Sequence, residues 1–383
     1  SMLSCSTLMY IILYRKINVL KTDLYLHISF VFPPPRVRNR SCASYNVIYY
    51  TPLYLRHGEL DMIYLDNSST SFYKPHEVIS SVSATLKNLS ANAGRAGHYY
   101  AKKAAFALND TRVKAANLFG FEPQRTIFTY GCTDSLNLAI YGLNIRGNVV
   151  TTAFEHNSVL RPLYDLKNSG KISLTIVNPD SEGIITEQAV LDAIDRRTKL
   201  VVINAVSNVT GTVLPYKEVY RRLQGTGIIM LTDAAQAVGS IMPSEICGDI
   251  IAVAPHKGLH APQGVGLLMF NEKVELMPLR KGGTGTMSAN LTQPNDLPEG
   301  LESGTLPLPA IMGLNAAITV YKRSCEKWRK KVETLGRYAF VKLKRCATVY
   351  TKDPVAGIIA FNVKNYDSAF TCDALGEKGL CLR

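Results

Sequence analysis

The chain has 383 residues, 46% hydrophobic and 19% charged, which excludes a disordered protein and leaves room for one large or two moderate cores. Its formal net charge is +13, yet the densest basic stretch, residues 326–338, carries two glutamates and reads as a solvated helix face, so no nucleic-acid partner is expected. No apolar run approaches the ~20 residues that a membrane span needs, so no membrane association is expected either.

In chain order, residues 1–61 stand apart. They are rich in Tyr, Ser and Cys, hold no persistent period, and are broken by "PPPR" at residues 33–36. The apolar "LMYIILY" has neither the flanks nor the small-residue cleavage site of a signal peptide. Composition shifts at Met62, so residues 1–61 are expected to be an atypical leader and Met62 the start of the functional part. Amphipathic helical stretches follow at residues 75–89 and 101–119. Short apolar runs then recur at 149–153, 174–177, 200–205, 228–232 and 250–254, separated by helical stretches. Such runs, bounded by turn residues, predict a mostly parallel sheet covered on both faces, hence an α/β fold. Past Pro309 comes a long helical pattern and then a strand, "GIIAFNVK", at 357–364. The expected organisation is a large domain at 62–310 and a smaller, incomplete C-terminal α+β domain at 311–383. The eight cysteines contain no C-x-x-C pair and no metal-type spacing with histidine. They point to a reducing, cytoplasmic compartment and to no metal site.

In a doubly wound sheet, ligands sit beyond the carboxyl ends of the strands. The run at 149–153 leads to His156, that at 200–205 to Asn208, and that at 228–232 to Asp233 and Gln236. The last, 250–254, delivers His256 and Lys257 into a turn rich in Gly and Pro. A lysine desolvated at the end of a buried strand can form a Schiff base with an aldehyde. Pyridoxal 5'-phosphate needs such a lysine, and also a carboxylate that keeps its ring nitrogen protonated. Asp233 suits the carboxylate role and His156 that of a flat group over the ring. Backbone N–H groups at a helix start suit the phosphate. "TYGCTDSLNLAIYGL" offers them, with Gly131, Cys132 and Thr133 opening an amphipathic helix and Ser135 and Asn137 in its first turns. Taken singly, Asp233 reads equally as a helix cap, His156 as a packed histidine, and the Gly-Cys-Thr turn as a simple cap. No base stands beside Cys132 in the sequence, so its thiol reads as structural. Taken together and in strand order, the set describes a pyridoxal-phosphate pocket.

These segments resemble the class V aminotransferases, a group of fold-type I pyridoxal-phosphate enzymes, and within it the cysteine desulfurases and selenocysteine lyases. "YLDNSSTSFYKP" (64–75) is similar to the opening "LDNAATS-x-x-KP", and "NAGRAGH" (92–98) to "N-x-GR-x-x-H". "EHNSVLRPL", "SNVTGTVLP", "TDAAQAVG", "HKGLHAPQGVG", "GGTGT" (282–286) and "LESGTLPLPAIMGLNAAI" (301–318) follow in the family's order. The resemblance implies that Lys257 holds the cofactor covalently. It implies that His156 stacks on the ring and shuttles protons, and that Asp233 pairs with the ring nitrogen. Gln236 and Asn208 would contact the ring-hydroxyl side. Thr133 with the neighbouring amides of the Cys132 turn, and His256, would hold the phosphate. Thr305 would reach the phosphate of the other subunit, which implies a homodimer. Ser68 and Ser69 replace the family's small pair, and Ala254 stands where many relatives place a serine.

The implied activity is removal of sulfur from L-cysteine, yielding alanine and a persulfide on an enzyme cysteine, from which a sulfur-acceptor protein could take it. In the desulfurases that cysteine lies in "R-x-G-x-H-C". Here "KGLCLR" ends at Arg383, which matches the first residue of that motif. The expectation is a chain truncated before the nucleophile and before an arginine for the substrate carboxylate. Cys381 precedes Arg383 and is not assigned the role. A class V aminotransferase or lyase that needs no cysteine, or an inactive scaffold of the same fold, is the alternative.

Overall fold

The computed structural model describes residues 56–57, 60–94, 97–285 and 291–383. The expectations placed on residues 1–55, Arg95 and Thr286 lie outside the described residues. The chain divides into two units, one of Lys74–Asn208 and Val213–Cys325, the other of Ser1–Tyr73, Val209–Thr212 and Glu326–Arg383.

The first unit is built on a seven-stranded sheet. Each apolar run becomes a strand because its β-branched residues suit a pleated, doubly covered surface. To number the strands, the short β1 (Arg56–His57), β2 (Leu60–Asp61) and β3 (Ile63–Tyr64) come first. The sheet itself contains β4 (Thr126–Thr129), β5 (Gly147–Thr152), β6 (Ile172–Val177), β7 (Thr198–Asn204), β8 (Ile229–Asp233), β9 (Ile250–Val253) and β10 (Gly266–Phe270). Their order is β4-β10-β9-β8-β7-β5-β6. The pairs β5/β6, β5/β7, β7/β8 and β8/β9 are parallel, and β10 runs antiparallel to both β9 and β4. The expected mostly parallel α/β fold is therefore present.

Helices α1 (His76–Asn88), α2 (Tyr99–Phe119), α3 (Cys132–Gly142), α4 (Asn157–Asn168), α5 (Glu187–Asp192) and α6 (Tyr216–Leu223) connect these strands. The predicted helix at 101–119 starts two residues earlier, because His98 caps it: its Nδ1 accepts the Ala101 N–H at 3.2 Å. One core cluster joins Leu136, Ile140, Leu163, Leu200, Leu231, Ile250 and Leu268, each under 2% exposed. It anchors α3, α4 and the strands, so the strand ends are fixed relative to one another.

The second unit takes in α7 (Leu308–Leu343) from Glu326 onward. It holds an antiparallel pair, β11 (Ala347–Val349) with β12 (Phe361–Val363), and α8 (Ser368–Gly376). Asp367 caps α8 by accepting the N–H groups of Ala369 and Phe370. A parallel pair joins β13 (Leu380–Cys381) to β3, Leu380 opposite Ile63. Leu65, Ala339, Leu343 and Ile359 form the core of this unit. The Cys381 thiol is pushed up by burial and then by the nearby Asp66 carboxylate, so it is a poor nucleophile near neutral pH.

Candidate active site

Loops at the carboxyl ends of β5, β7, β8 and β9 carry the candidate residues His156, Asn208, Asp233, Gln236, His256 and Lys257. After β5, His156 caps α4. Its Nδ1 accepts the Ser158 N–H at 3.1 Å and lies 2.9 Å from Ser158 Oγ. The Ser158 hydroxyl also meets Thr133 Oγ1 at 2.8 Å, which ties the start of α4 to the start of α3. Among the described residues α3 receives no side-chain cap; it opens at Gly131 with φ +143°. Its first-turn N–H groups therefore receive no side-chain cap. A Cβ at Gly266 would lie 2.5 Å from the Gly131 carbonyl carbon, so only glycine lets β10 pass this closely beneath the turn. Ser135 is fully buried against Thr129 Oγ1 at 2.7 Å, and Asn137 Nδ2 donates to the Thr133 carbonyl at 2.8 Å, so both stabilise the turn from within.

At the end of β8, Asp233 is 4% exposed. It faces Asn204 in the register of β7, and its carbonyl accepts the Ala205 N–H at 2.9 Å. Oδ1 accepts the Ala235 N–H at 2.9 Å and the Cys132 thiol at 3.8 Å. Burial pushes the Asp233 carboxyl up, while the Ala235 N–H and the charges of Lys257 and His156 pull it back down. Asp233, Lys257 and His156 thus share one electrostatic environment. The linear sequence places no base beside Cys132, but the fold brings Asp233 across to it. Burial first, and Asp233 second, push that thiol far up, so Cys132 is a neutral donor to Asp233 and no nucleophile.

The turn after β9 presents Lys257, which is half-buried. Its N–H donates to the Ala254 carbonyl at 3.1 Å, and its carbonyl accepts the His260 N–H at 3.0 Å. A Cβ at Gly258 would fall 1.6 Å from the Val238 carbonyl oxygen, so glycine is required for this turn to pack against residues 238–239. Burial, then Lys257 and Lys74, push the His256 imidazole down to about 4, so it is neutral at physiological pH. Lys74 Nζ donates to the His256 carbonyl at 3.1 Å, and burial pushes Lys74 down to about 8. Gln236 sits half-buried in the turn after Asp233, and Asn208 half-buried in the turn after β7.

Thr305 is exposed, and its carbonyl accepts the Tyr130 hydroxyl at 3.2 Å, beside the start of α3. Its loop is anchored by Glu302, which is held by Arg112 through bonds of 2.6 and 2.8 Å and by the Phe128 N–H at 2.6 Å. Asp134 accepts the Tyr130 N–H at 2.9 Å and pairs with Arg280 at 2.7 Å, whose guanidinium lies over the Tyr130 ring. Sequence reasoning gave no role to Glu155, Lys74, Ser158, Arg112 or Glu302. Glu155, Lys74, Ser158 and Glu302 lie within the family-like segments, which is the one signal for them in the sequence. Among the described residues no cluster of His, Cys, Asp and Glu could hold a metal ion, and no helix is long and apolar enough to cross a membrane.

Comparison with known proteins gives this geometry its relatives. A protein named probable cysteine desulfurase from Methanothermobacter thermautotrophicus is 30% identical over 342 residues, 84% of each chain. Cysteine desulfurase IscS of Rickettsia akari is 31% identical over 305 residues, 76% of this chain and 71% of its own. Among solved structures, the apo cysteine desulfurase from Thermococcus onnurineus NA1 matches with a TM-score of 0.77 at 26% identity, over 84% of each chain. The match to the class-V aminotransferase family runs over residues 63–383, taking in every strand end described above, and the chain belongs to that family.

Proposed function

We propose that this chain is a pyridoxal-phosphate-dependent enzyme of the cysteine desulfurase kind, acting on L-cysteine to release alanine, with the sulfur passed to an acceptor thiol other than Cys132 or Cys381. The observation that carries the reading is Asp233: a buried carboxylate at a strand end, with Lys257 and His156 acting on it electrostatically. The names of the relatives supply the substrate. The donor set fits pyridoxal 5'-phosphate: a primary amine, a buried carboxylate, two imidazoles and a helix start without a side-chain cap.

When bound, the cofactor supplies an electron sink for charge developing at the amino acid's Cα. Lys257 would hold the cofactor and move the proton at Cα. Asp233 would keep the ring nitrogen protonated, its carboxylate form favoured by the Ala235 N–H. His156 would stack on the ring and carry a proton to or from the substrate. The first-turn amides around Cys132, the Thr133 hydroxyl and the neutral His256 would hold the phosphate. Gln236 and Asn208 would bind the ring-hydroxyl side. Thr305 would serve the phosphate of a second protomer, so a homodimer belongs to the reading. The described cysteines are free thiols, which suits a reducing cytoplasmic compartment.

The test is direct. The chain is mixed with pyridoxal phosphate, treated with borohydride and digested, and the modified peptide is identified. Attachment at Lys257 and a visible absorbance lost in Lys257→Ala are expected. Incubation with L-cysteine and a thiol acceptor should give alanine; a keto acid instead would mean transamination and would refute the desulfurase assignment.

A further inference from the structure

Glu155 is a buried carboxyl to which the reading above gives no task. It stands between β5 and α4, immediately before His156, and is 7% exposed. Its Oε1 accepts two hydrogen bonds, from Thr152 Oγ1 at 2.7 Å and from the Asn204 N–H at 3.0 Å. Its Oε2 is buried and has no hydrogen-bond partner among the described residues. Asn204 is the register partner of Asp233, and its Nδ2 donates to the Phe154 carbonyl. One carboxyl therefore ties the end of β5 to the end of β7, one residue from His156 and one strand from Asp233.

Two carboxyls in one low-dielectric pocket do not both ionise without repulsion. Their surroundings decide which keeps the charge. Asp233 has Lys257, His156 and an N–H of Ala235 acting in favour of its anion. Glu155 has neutral hydrogen-bond partners, and the charge acting on it is the like charge of Asp233. Cys132 from α3 faces Asp233 as a neutral thiol. A buried carboxylate with one oxygen unpartnered is costly, and a proton on Oε2 removes the charge. The Asn204 side-chain oxygen is a second buried acceptor without a partner among the described residues.

We propose that Glu155 is a protonated positioning residue, a neutral carboxyl that locks the ends of β5 and β7 and leaves Asp233 as the anion of the pair. Burial first, and the repulsion from Asp233 last, push Glu155 up to about 8, in keeping with this arrangement. The protonation belongs to the chain itself; only its consequence at the ring nitrogen rests on the function proposed above.

The test uses the full chain without added cofactor. The infrared spectrum at about pH 6 should show the C=O stretch of a protonated carboxylic acid that shifts on carbon-13 labelling of glutamate and is lost in Glu155→Gln. Glu155→Gln should keep the wild-type urea midpoint at that pH, because an amide matches a neutral acid in shape, whereas Glu155→Ala should lower it. Between about pH 5 and 8 the wild-type midpoint should fall relative to that of Glu155→Gln as pH rises. With pyridoxal phosphate added, Glu155→Gln should keep the wild-type pH midpoint of the cofactor absorbance. A wild type with no protonated-glutamate band, or a Glu155→Gln chain as unstable as Glu155→Ala at the lower pH, would overturn the proposal. A chain that shows the band but binds no cofactor would refute the proposed function and leave this inference standing.

Discussion

Replacing Arg112 by Met tests what holds the loop that carries Thr305. Arg112 and Glu302 are 4% and 7% exposed. The guanidinium makes two bonds to the carboxylate, 2.6 and 2.8 Å, and a third of 2.6 Å to the Thr126 carbonyl, and lies over the Phe128 ring with Cζ 4.6 Å from its centroid. Burial pushes the Glu302 carboxyl up even with Arg112 and the Phe128 N–H pulling it down. Removing the cation alone leaves that carboxylate buried and uncompensated, a loss of about 3–5 kcal/mol. At roughly 2–4 °C per kcal/mol for a domain of this size class, the melting temperature should fall by roughly 6–20 °C. The Arg112→Met/Glu302→Gln double variant should recover part of the loss, because no charge is then stranded. The sign of the pH effect follows. In Arg112→Met the native Glu302 carboxyl rises further, the native state binds more protons than the unfolded one, and stability is lost as pH increases. Thermal unfolding of the four corners of the cycle measures all of this. A single variant within about 1 kcal/mol of the wild type, with no coupling in the cycle, would refute the claim that this pair anchors the loop.

Asp233→Asn should leave a neutral partner for the ring nitrogen; pyridoxal phosphate should still bind, with alanine formation lowered at least tenfold, and an unaffected rate would remove Asp233 from its assigned role. Lys74→Met should loosen the turn that carries Lys257 by deleting the bond to the His256 carbonyl. Because the native Lys74 amine is pushed down to about 8, wild-type stability should fall as pH drops from about 10 through 8, and Lys74→Met should lack that slope. The imidazole of His256 should show no titration by proton NMR between about pH 7 and 5, and a midpoint near the ordinary histidine value would contradict its burial.

The strands at 149–153, 174–177, 200–205, 228–232 and 250–254 were legible because each is a short apolar run ending at turn residues, and each became β5 to β9 with small shifts at the ends. Two strands were not. The "TIFT" of β4 is too short to show a period, and β10 is an apolar run directly after a Gly- and Pro-rich loop that masks its start. Lys257, Asp233 and His156 were legible because strand-end position is encoded locally. Glu302 and Arg112 were not, because the partners of a buried ion pair stand 190 residues apart and each alone resembles a surface charge. Cys132 shows the same limit: its acceptor, Asp233, is 101 residues away and arrives only through the order of the sheet.

The electrostatics of these strand ends share one cause. Burial is the leading influence on Lys74, Cys132, Glu155, Asp233 and His256, and in each it favours the uncharged form. A pocket that disfavours charge this generally can still stabilise a charge at the points where fixed partners oppose the burial. Asp233 is one such point, because Lys257, His156 and the Ala235 N–H act on it. The start of α3 is the other, where the first-turn N–H groups receive no side-chain cap and point their positive ends outward. Cys132 joins the two, since it opens the helix and donates to Asp233. A buried carboxylate and an uncapped helix start, opposite in polarity, are thus joined through Cys132. A ligand with a protonated ring nitrogen at one end and a phosphate at the other matches that polarity, whereas an amino acid alone does not supply the ring cation. An anionic Glu155 beside Asp233 would raise Asp233 in turn and favour its protonation.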